Sequence, residues 1–149
     1  MKTFVQIVII LLVILFGVLA YFSDNPLNPS CKGRAKCFTG KMERIIDGDT
    51  YVISKQDMRV ALANTPEKGE KGYSEAISFI EKICPVGSKV VVDQDDKQLY
   101  SYNRMMAVVY CNGRNLSEEL LKNNLAVLEK DFCTKSEFGN ETWAKNYGC

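Results

Sequence analysis

The chain has 149 residues, of which 46% are apolar and 25% are charged, so its composition suits one compact domain with an appendage and excludes a disordered protein. The net charge is +1, and from Ser23 onward the basic and acidic residues are equal in number, so bulk charge gives no argument for nucleic-acid binding. The chain contains no histidine, which excludes histidine acid–base chemistry and histidine-ligated zinc.

Residues 4–22 form an apolar run that is interrupted by a single polar side chain, Gln6. A helix of this length would span roughly 28 Å, close to the hydrocarbon thickness of a bilayer. Lys2 precedes the run, so the positive-inside rule places the amino terminus in the cytoplasm and the rest of the chain outside. We favour a retained transmembrane anchor over a cleaved signal peptide, whose cleavage site would be Val18-Leu-Ala20. Either alternative exports the domain.

Residues 23–40 are predicted to be a tether, because their first part holds two prolines and few apolar side chains. Residues 41–149 would then form the folded domain. Six cysteines on an exported domain favour disulfides, and their scattered spacing disfavours a metal site. The sequence leaves the pairing open, with buried free thiols as the alternative; the pairs we favour are Cys31–Cys37, Cys84–Cys111 and Cys133–Cys149.

Hydrophobic periodicity and turn residues divide the domain into short elements. Strands are predicted over residues 41–46, 51–54, 58–63, 89–93, 99–102 and 105–110. Helices are predicted over residues 73–84, from a cap at Asn115 to residue 123, and over residues 136–147. The pattern alone indicates a small α+β protein.

Two turns that carry acidic or amide side chains follow neighbouring predicted strands. Three stretches stand out: Arg-Ile-Ile-Asp-Gly-Asp-Thr at 44–50, Arg-Val-Ala-Leu-Ala-Asn-Thr-Pro-Glu at 59–67, and Tyr-Asn-Arg at 102–104. If the first strands pair as a meander, the turns gather five polar side chains at one edge: Asp47, Asp49, Arg59, Asn64 and Glu67. Oxygen ligands, a glutamate and a guanidinium are what a hard cation and a phosphodiester need together.

Each motif also has a plainer interpretation. Asp-Gly is above all a turn signal, and Thr-Pro-Glu can simply end a strand. Arg59 could be a surface residue paired with Glu67, and Arg104 an exposed turn charge. Tyr102 could pack at the rim of a sheet.

The order of the three motifs resembles the staphylococcal nuclease (thermonuclease) family over residues 41–132. That family has an apolar pair before Asp-Gly-Asp-Thr, then an arginine separated by four residues from Asp-Thr-Pro-Glu, then an arginine just before the last barrel strand. The chain departs from it at Asn64, where the family has aspartate, and at Asn103, where it commonly has glycine. Asparagine tolerates positive φ, so the second change is expected to be mild. The resemblance implies an OB-fold, a five-stranded barrel capped by about three helices.

The resemblance also implies hydrolysis of DNA and RNA phosphodiesters with one Ca²⁺ ion. By position, the cation would be held by Asp49, Asn64 and the backbone carbonyl of Thr65, with Asp47 as an outer acid. An amide in place of a carboxylate removes one negative charge, so we expect weak Ca²⁺ binding.

The remaining implied roles concern the substrate. Glu67 would be the general base, Arg59 and Arg104 would hold the phosphate, and Tyr102 would lie beside the nucleotide. We expect a monomer that favours single strands and is tethered to a membrane through residues 4–22, or is otherwise secreted. The alternative is a catalytically weak or inactive OB-fold module that binds nucleic acid or protein.

Overall fold

The computed structural model describes residues 31–149. The predicted membrane span at residues 4–22 and the first part of the predicted tether lie outside the described residues. Within residues 31–149, none of the helices has the length and apolar character needed to cross a bilayer.

The described residues form nine strands, most of them in one sheet. They are β1 (Cys37–Ile45), β2 (Thr50–Ile53), β3 (Gln56–Val60), β4 (Ala63–Asn64), β5 (Lys89–Gln94), β6 (Tyr100–Ser101), β7 (Arg104–Cys111), β8 (Arg114–Asn115) and β9 (Val127–Leu128). β1, β2 and β3 form an antiparallel meander, β5 pairs with β1, and β7 pairs with β5. A parallel pairing of β3 with β7 closes the five-stranded barrel. The predicted OB-fold is therefore confirmed.

The barrel core follows from the alternation of side chains along its strands. Tyr51 and Ile53 of β2 are fully buried, as are Met58 and Val60 of β3. Asp57, just before Met58, faces solvent, and Arg59, between Met58 and Val60, points to the other face of the strand. Successive strand residues point to opposite faces, so this pattern places the apolar set inside the barrel and the charged ones outside.

Three helices within the described residues cap the barrel: α1 (Tyr73–Ile83), α2 (Leu116–Lys122) and α3 (Thr142–Asn146). α1 buries Ala76 and Ile80, which are four residues apart and so share one face. The predicted cap of α2 is confirmed, because the Asn115 side chain accepts hydrogen bonds from the backbone N–H groups of Ser117 and Glu118.

Both ends of the domain differ from the sequence prediction. β1 begins at Cys37, so residues 37–40 belong to the barrel rather than to a tether. The single helix predicted over residues 136–147 is wrong: a 3₁₀ turn at Glu137–Asn140 precedes the short α3. A Cβ at Gly139 would lie 1.8 Å from the carbonyl oxygen of Cys133, so the chain passes too close to itself there for any side chain.

The predicted disulfides are confirmed. Cys31–Cys37, Cys84–Cys111 and Cys133–Cys149 are all bonded, which leaves no free thiol. The last pair ties the carboxyl-terminal residue to Cys133, which directly follows a 3₁₀ turn at Lys130–Phe132.

Candidate catalytic site

The turn between β1 and β2 carries the two aspartates that the sequence singled out. Its geometry depends on Gly48, because a Cβ there would lie 2.7 Å from the Ala76 Cβ and 2.8 Å from the Thr65 Cγ2. A glycine is therefore needed for the turn to pack against both α1 and the chain that follows β4. Within the turn, the Asp49 backbone N–H donates to Asp47 Oδ1 at 3.1 Å.

Asp49 is the centre of the polar network, with only 2% of its surface exposed. Its Oδ1 accepts from Arg59 Nη1 at 2.5 Å and from Thr50 Oγ1 at 3.1 Å. Its Oδ2 accepts from the Thr65 backbone N–H at 2.8 Å and from Thr65 Oγ1 at 3.1 Å. Both carboxylate oxygens are thus held by donors, as a buried charge requires.

Arg59 is buried in the same network. Its Nη2 donates to Asn64 Oδ1 at 2.6 Å and lies 3.5 Å from Glu129 Oε1. The interpretation of Arg59 as a surface residue paired with Glu67 is therefore wrong. The residue is 8% exposed, and its ion pairs are with Asp49 and Glu129.

The chain turns back towards Asp49 at a residue with left-handed backbone conformation, and Asn64 and Thr65 follow that turn. Leu62, just after β3, has φ +64° although it is a bulky and buried residue. That conformation costs roughly 1–2 kcal/mol for a residue other than glycine. The short β4–β9 ladder stabilises it, and the Leu62 carbonyl accepts the Glu129 N–H at 3.0 Å. Strain of this kind is often found at functional sites.

Arg104 reaches the same network from another strand. It is the first residue of β7, and the parallel β3–β7 ladder sets its neighbour Met105 beside Met58. Its Nη1 donates to Thr50 Oγ1 at 3.2 Å, and that hydroxyl in turn donates to Asp49 Oδ1. Both predicted phosphate-holding arginines are therefore joined to Asp49, one directly and the other through Thr50.

The two other predicted residues lie at the solvent boundary. Glu67 is exposed, and its backbone N–H donates to Glu70 Oε2 at 2.7 Å. No ion pair joins its carboxylate to Arg59 or Arg104 within residues 31–149. Tyr102 is 91% exposed, and with Asn103 it forms a two-residue turn between β6 and β7 in which both residues have positive φ. Asparagine thus accepts this backbone in place of glycine, as expected.

The environment changes the proton affinity of groups at the acidic turn. Burial, and after it the charge of Asp49, raises the pKa of Asp47 above its usual value. The pKa of Tyr51 is raised well above its usual range by burial and by the charges of Asp49 and Asp47. Tyr51 therefore stays protonated and donates from its hydroxyl to the Gly48 carbonyl at 2.7 Å, which supports the turn from inside the barrel.

The groups in the network that could bind a metal are all oxygen atoms, which suits a hard cation. Within residues 31–149, no three histidine, cysteine or acidic side chains are placed to hold a metal by themselves. An ion at Asp49 would therefore also need the Asn64 amide oxygen, the Thr65 carbonyl and water. Because Arg59 donates to both Asp49 and Asn64, it would have to release at least one of those oxygens.

Sequence reasoning missed two members of this network. Thr50 belongs to the quoted motif, but its role as a bridge between Asp49 and Arg104 depends on the pairing of β2, β3 and β7. Glu129 lies 70 positions from Arg59. Only the β4–β9 ladder brings it near, and no local pattern signals that ladder.

A protein-family model described as "Staphylococcal nuclease homologue" matches residues 57–145. The chain belongs to this family. The family match includes Arg59, Asn64, Thr65, Glu67 and Arg104, which form most of the candidate site.

Individual relatives agree with the family. A thermonuclease of Staphylococcus hyicus is 26% identical over 129 residues, which cover 80% of this chain and 76% of that protein. The endonuclease YncB of Bacillus subtilis (strain 168) is 31% identical over 109 residues, which cover 66% of this chain and 51% of that protein. The chain therefore spans about half the length of the second relative.

Proposed function

We propose that the chain is a Ca²⁺-dependent nuclease that hydrolyses phosphodiester bonds of DNA or RNA. The observation that carries the proposal is the buried Asp49–Arg59 pair, with Asn64 and Thr65 around it and Arg104 joined to it through Thr50. The names of the two relatives, a thermonuclease and an endonuclease, support the same activity.

The two arginines are proposed to hold the scissile phosphate. Negative charge grows on the phosphoryl oxygens in the transition state, and a guanidinium can donate two parallel hydrogen bonds to them. Arg104 is half-buried and Arg59 is buried, so their charges act in a partly desolvated setting. Their shared connection to Asp49 fixes one guanidinium relative to the other.

Asp49, Asn64 and the Thr65 carbonyl are the proposed cation ligands, with Asp47 outside them. When bound, Ca²⁺ would offset the negative charge of the phosphate. Asn64 supplies an oxygen but no charge, so affinity for the ion should be low. We expect Asn64→Asp to tighten Ca²⁺ binding several-fold in a calorimetric titration, and an unchanged Kd would exclude Asn64 from the ligand set.

Glu67 is the proposed general base. Its carboxylate is exposed and, within residues 31–149, makes no ion pair with the arginines, so it can accept a proton from an attacking water. The bond from its backbone N–H to Glu70 holds the loop in which it lies.

Two further parts of the proposal concern the preference for single-stranded substrates, which involves Tyr102, and the location of the protein, which involves residues 4–22. Tyr102 is exposed two residues before Arg104, where its ring would stack on an unpaired base and so favour single strands. The apolar run at residues 4–22 would tether a monomeric domain to the outer side of a membrane. Three disulfides suit such an oxidising location.

A second candidate is a binding module with little or no catalysis. The specific observation in its favour is that Arg59 already donates to both Asp49 and Asn64, one of which is neutral. Such a site could hold a phosphate through its arginines without retaining a cation.

Cleavage of single-stranded DNA by the full chain in detergent distinguishes the two candidates. The nuclease should cleave with Ca²⁺ and stop with chelator, and Glu67→Gln should lower kcat by roughly 10²- to 10⁴-fold. The matched control is Glu81→Gln, an exposed glutamate of α1 that should leave kcat unchanged. Binding of DNA without cleavage would support the module, and no binding would contradict both candidates.

A further inference from the structure

The cation site of the proposed nuclease has too little negative charge if it consists only of the expected ligands. Asp49 carries one negative charge, which the directly bonded Arg59 balances, and Asn64 is neutral. Asp47 adds a second negative charge beside Asp49, but Arg104, joined to Asp49 through Thr50, offsets it. A divalent cation at Asp49 and Asn64 would therefore approach a locally balanced pair rather than a negative site.

Glu129 places one more carboxylate at this point. Its Oε1 lies 3.5 Å from Arg59 Nη2, the same nitrogen that donates to Asn64 Oδ1 at 2.6 Å. The side chain is 25% exposed, so its charge is only partly screened by water. Its backbone is held by the β4–β9 ladder and by the bond to Leu62, which makes its position part of the fold.

We propose that Glu129 carries the negative charge that Asn64 lacks, and that it receives Arg59 when Asp49 and Asn64 turn their oxygens to a cation. This inference rests on the proposed function, because it concerns the same cation site. Glu129 is a positioning residue: it acts through Arg59 and not on the substrate. Arg59 is between two sets of acceptors, so a small shift towards Glu129 would open one acceptor position on Asp49 Oδ1 and one on Asn64 Oδ1 without leaving the guanidinium unpaired, while Asp49 Oδ2 stays bonded to Thr65.

Calorimetric titration of the full chain with CaCl₂ in detergent, without nucleic acid, tests the proposal. Glu129→Gln keeps the shape of the side chain and removes its charge, and the Kd for Ca²⁺ should rise about tenfold. The matched control is Glu43→Gln, which removes the same charge at the far end of the β1–β2 hairpin, where Glu43 accepts the Lys55 N–H. The control should change the Kd less than about twofold.

A rescue experiment separates the charge of Glu129 from a merely structural contact. Asn64→Asp in the Glu129→Gln background returns one carboxylate to the site, so the double variant should recover most of the Ca²⁺ affinity. Because Asn64→Asp alone is also expected to tighten binding, its gain is compared in both backgrounds: a larger gain with Glu129→Gln than in the wild type shows that the two carboxylates substitute for each other, and equal gains show that Glu129 acts independently of that charge. Circular dichroism melting of each variant checks that the barrel is folded.

Three results would overturn the inference: a Glu129→Gln variant with unchanged affinity, equal gains from Asn64→Asp in the two backgrounds, or a wild-type chain that binds no Ca²⁺. Cleavage assays keep this outcome distinct from the proposed function. Ca²⁺-dependent cleavage with an unaffected Glu129→Gln variant would reject the role of Glu129 and keep the nuclease. Glu129-dependent Ca²⁺ binding without any cleavage would keep the role of Glu129 and reject the nuclease.

Discussion

Two groups of charged and polar side chains follow the two ends of β1. The barrel-edge site contains Asp49, Arg59, Asn64, Thr65 and Arg104. The amino-terminal acidic cluster contains Asp93, Asp95, Asp96, Glu137 and Glu141. β1 separates the two groups along the chain, but the closed barrel brings their backbones close, because Met106 pairs with Arg59 and its carbonyl accepts the Asp95 N–H at 2.9 Å.

The acidic cluster uses its carboxylates to hold backbone. Asp95 Oδ1 accepts from the N–H groups of Lys97, Gln98 and Glu137, and Asp93 accepts the N–H of Lys32. No buried guanidinium enters this group within residues 31–149; its cation is an exposed lysine. Its carboxylates therefore fasten the loop before β1, the chain that follows β5 and the start of the 3₁₀ turn at Glu137–Asn140.

In the barrel-edge site, cationic side chains outnumber the single carboxylate. Its aspartate is bonded to a buried arginine, and a second arginine is linked through Thr50. Guanidinium groups held near one another in a partly desolvated place can receive an anion, which the acidic cluster cannot do. An acidic turn is thus a poor guide to function until the cations around it are known.

Replacing Arg59 should have the largest effect. Arg59→Ala leaves the Asp49 carboxylate buried without its cation, so the free energy of unfolding should fall by about 3–5 kcal/mol. Loss of a phosphate-holding guanidinium should lower kcat by roughly 10³-fold or more. Urea unfolding and single-stranded DNA cleavage measure the two effects.

The control for Arg59 comes from the acidic cluster. Lys32 pairs with Glu141 at 2.6 Å, but 56% of the lysine side chain is exposed. Lys32→Ala should therefore cost less than about 1 kcal/mol and leave cleavage unchanged. Similar losses for both variants would mean that the two regions are energetically alike.

Thr65→Val should have an intermediate effect. It keeps the backbone bond to Asp49 and nearly the same volume, but removes the Oγ1 bond to Asp49 Oδ2. Loss of one hydrogen bond to a buried charge should lower the free energy of unfolding by about 1–3 kcal/mol. Thr39→Val, at an exposed position of β1, is the matched control in the same urea titration. Equal behaviour of the two variants would show that the Thr65 hydroxyl does not stabilise Asp49.

The smallest expected effect is a pH-dependent gain in the acidic cluster. Burial, with the charges of Asp96 and Asp93, raises the pKa of Glu137 above its usual 4.5. The folded protein then holds this proton more tightly than the unfolded chain, so ionised Glu137 destabilises the fold at neutral pH. Glu137→Gln should raise Tm at pH 7, and the gain should disappear as the pH falls through the raised pKa to below 4.5.

Melting curves at pH 7 and pH 4 test whether Tm rises as expected. They compare the wild type with Glu137→Gln and with the exposed control Glu81→Gln. A lower Tm at pH 7 for Glu137→Gln would mean that the carboxylate's bond to the Asp96 N–H outweighs the cost of its burial.

Much of the barrel could be predicted because its signals are local. Alternation along β2 and β3, the Asn115 cap and the residues that permit positive φ are visible within a few positions. The periodicity over residues 136–147 predicts one continuous helix. The Cys133–Cys149 disulfide and the close approach of the chain at Gly139 prevent it. Both constraints involve parts of the chain that a local window does not contain.

The sequence by itself determined the family, through it the barrel, and the grouping of Asp47, Asp49, Arg59, Asn64 and Glu67 at one edge, because these follow from short motifs on neighbouring strands, whereas it left the disulfide pairing open. Only the tertiary structure decided which charges meet Arg59. A side chain's partner depends on strand pairing across many residues, and the β4–β9 ladder selects Glu129 where the sequence suggested Glu67. Charge balance at a site is a property of the folded surroundings, and local patterns do not contain it.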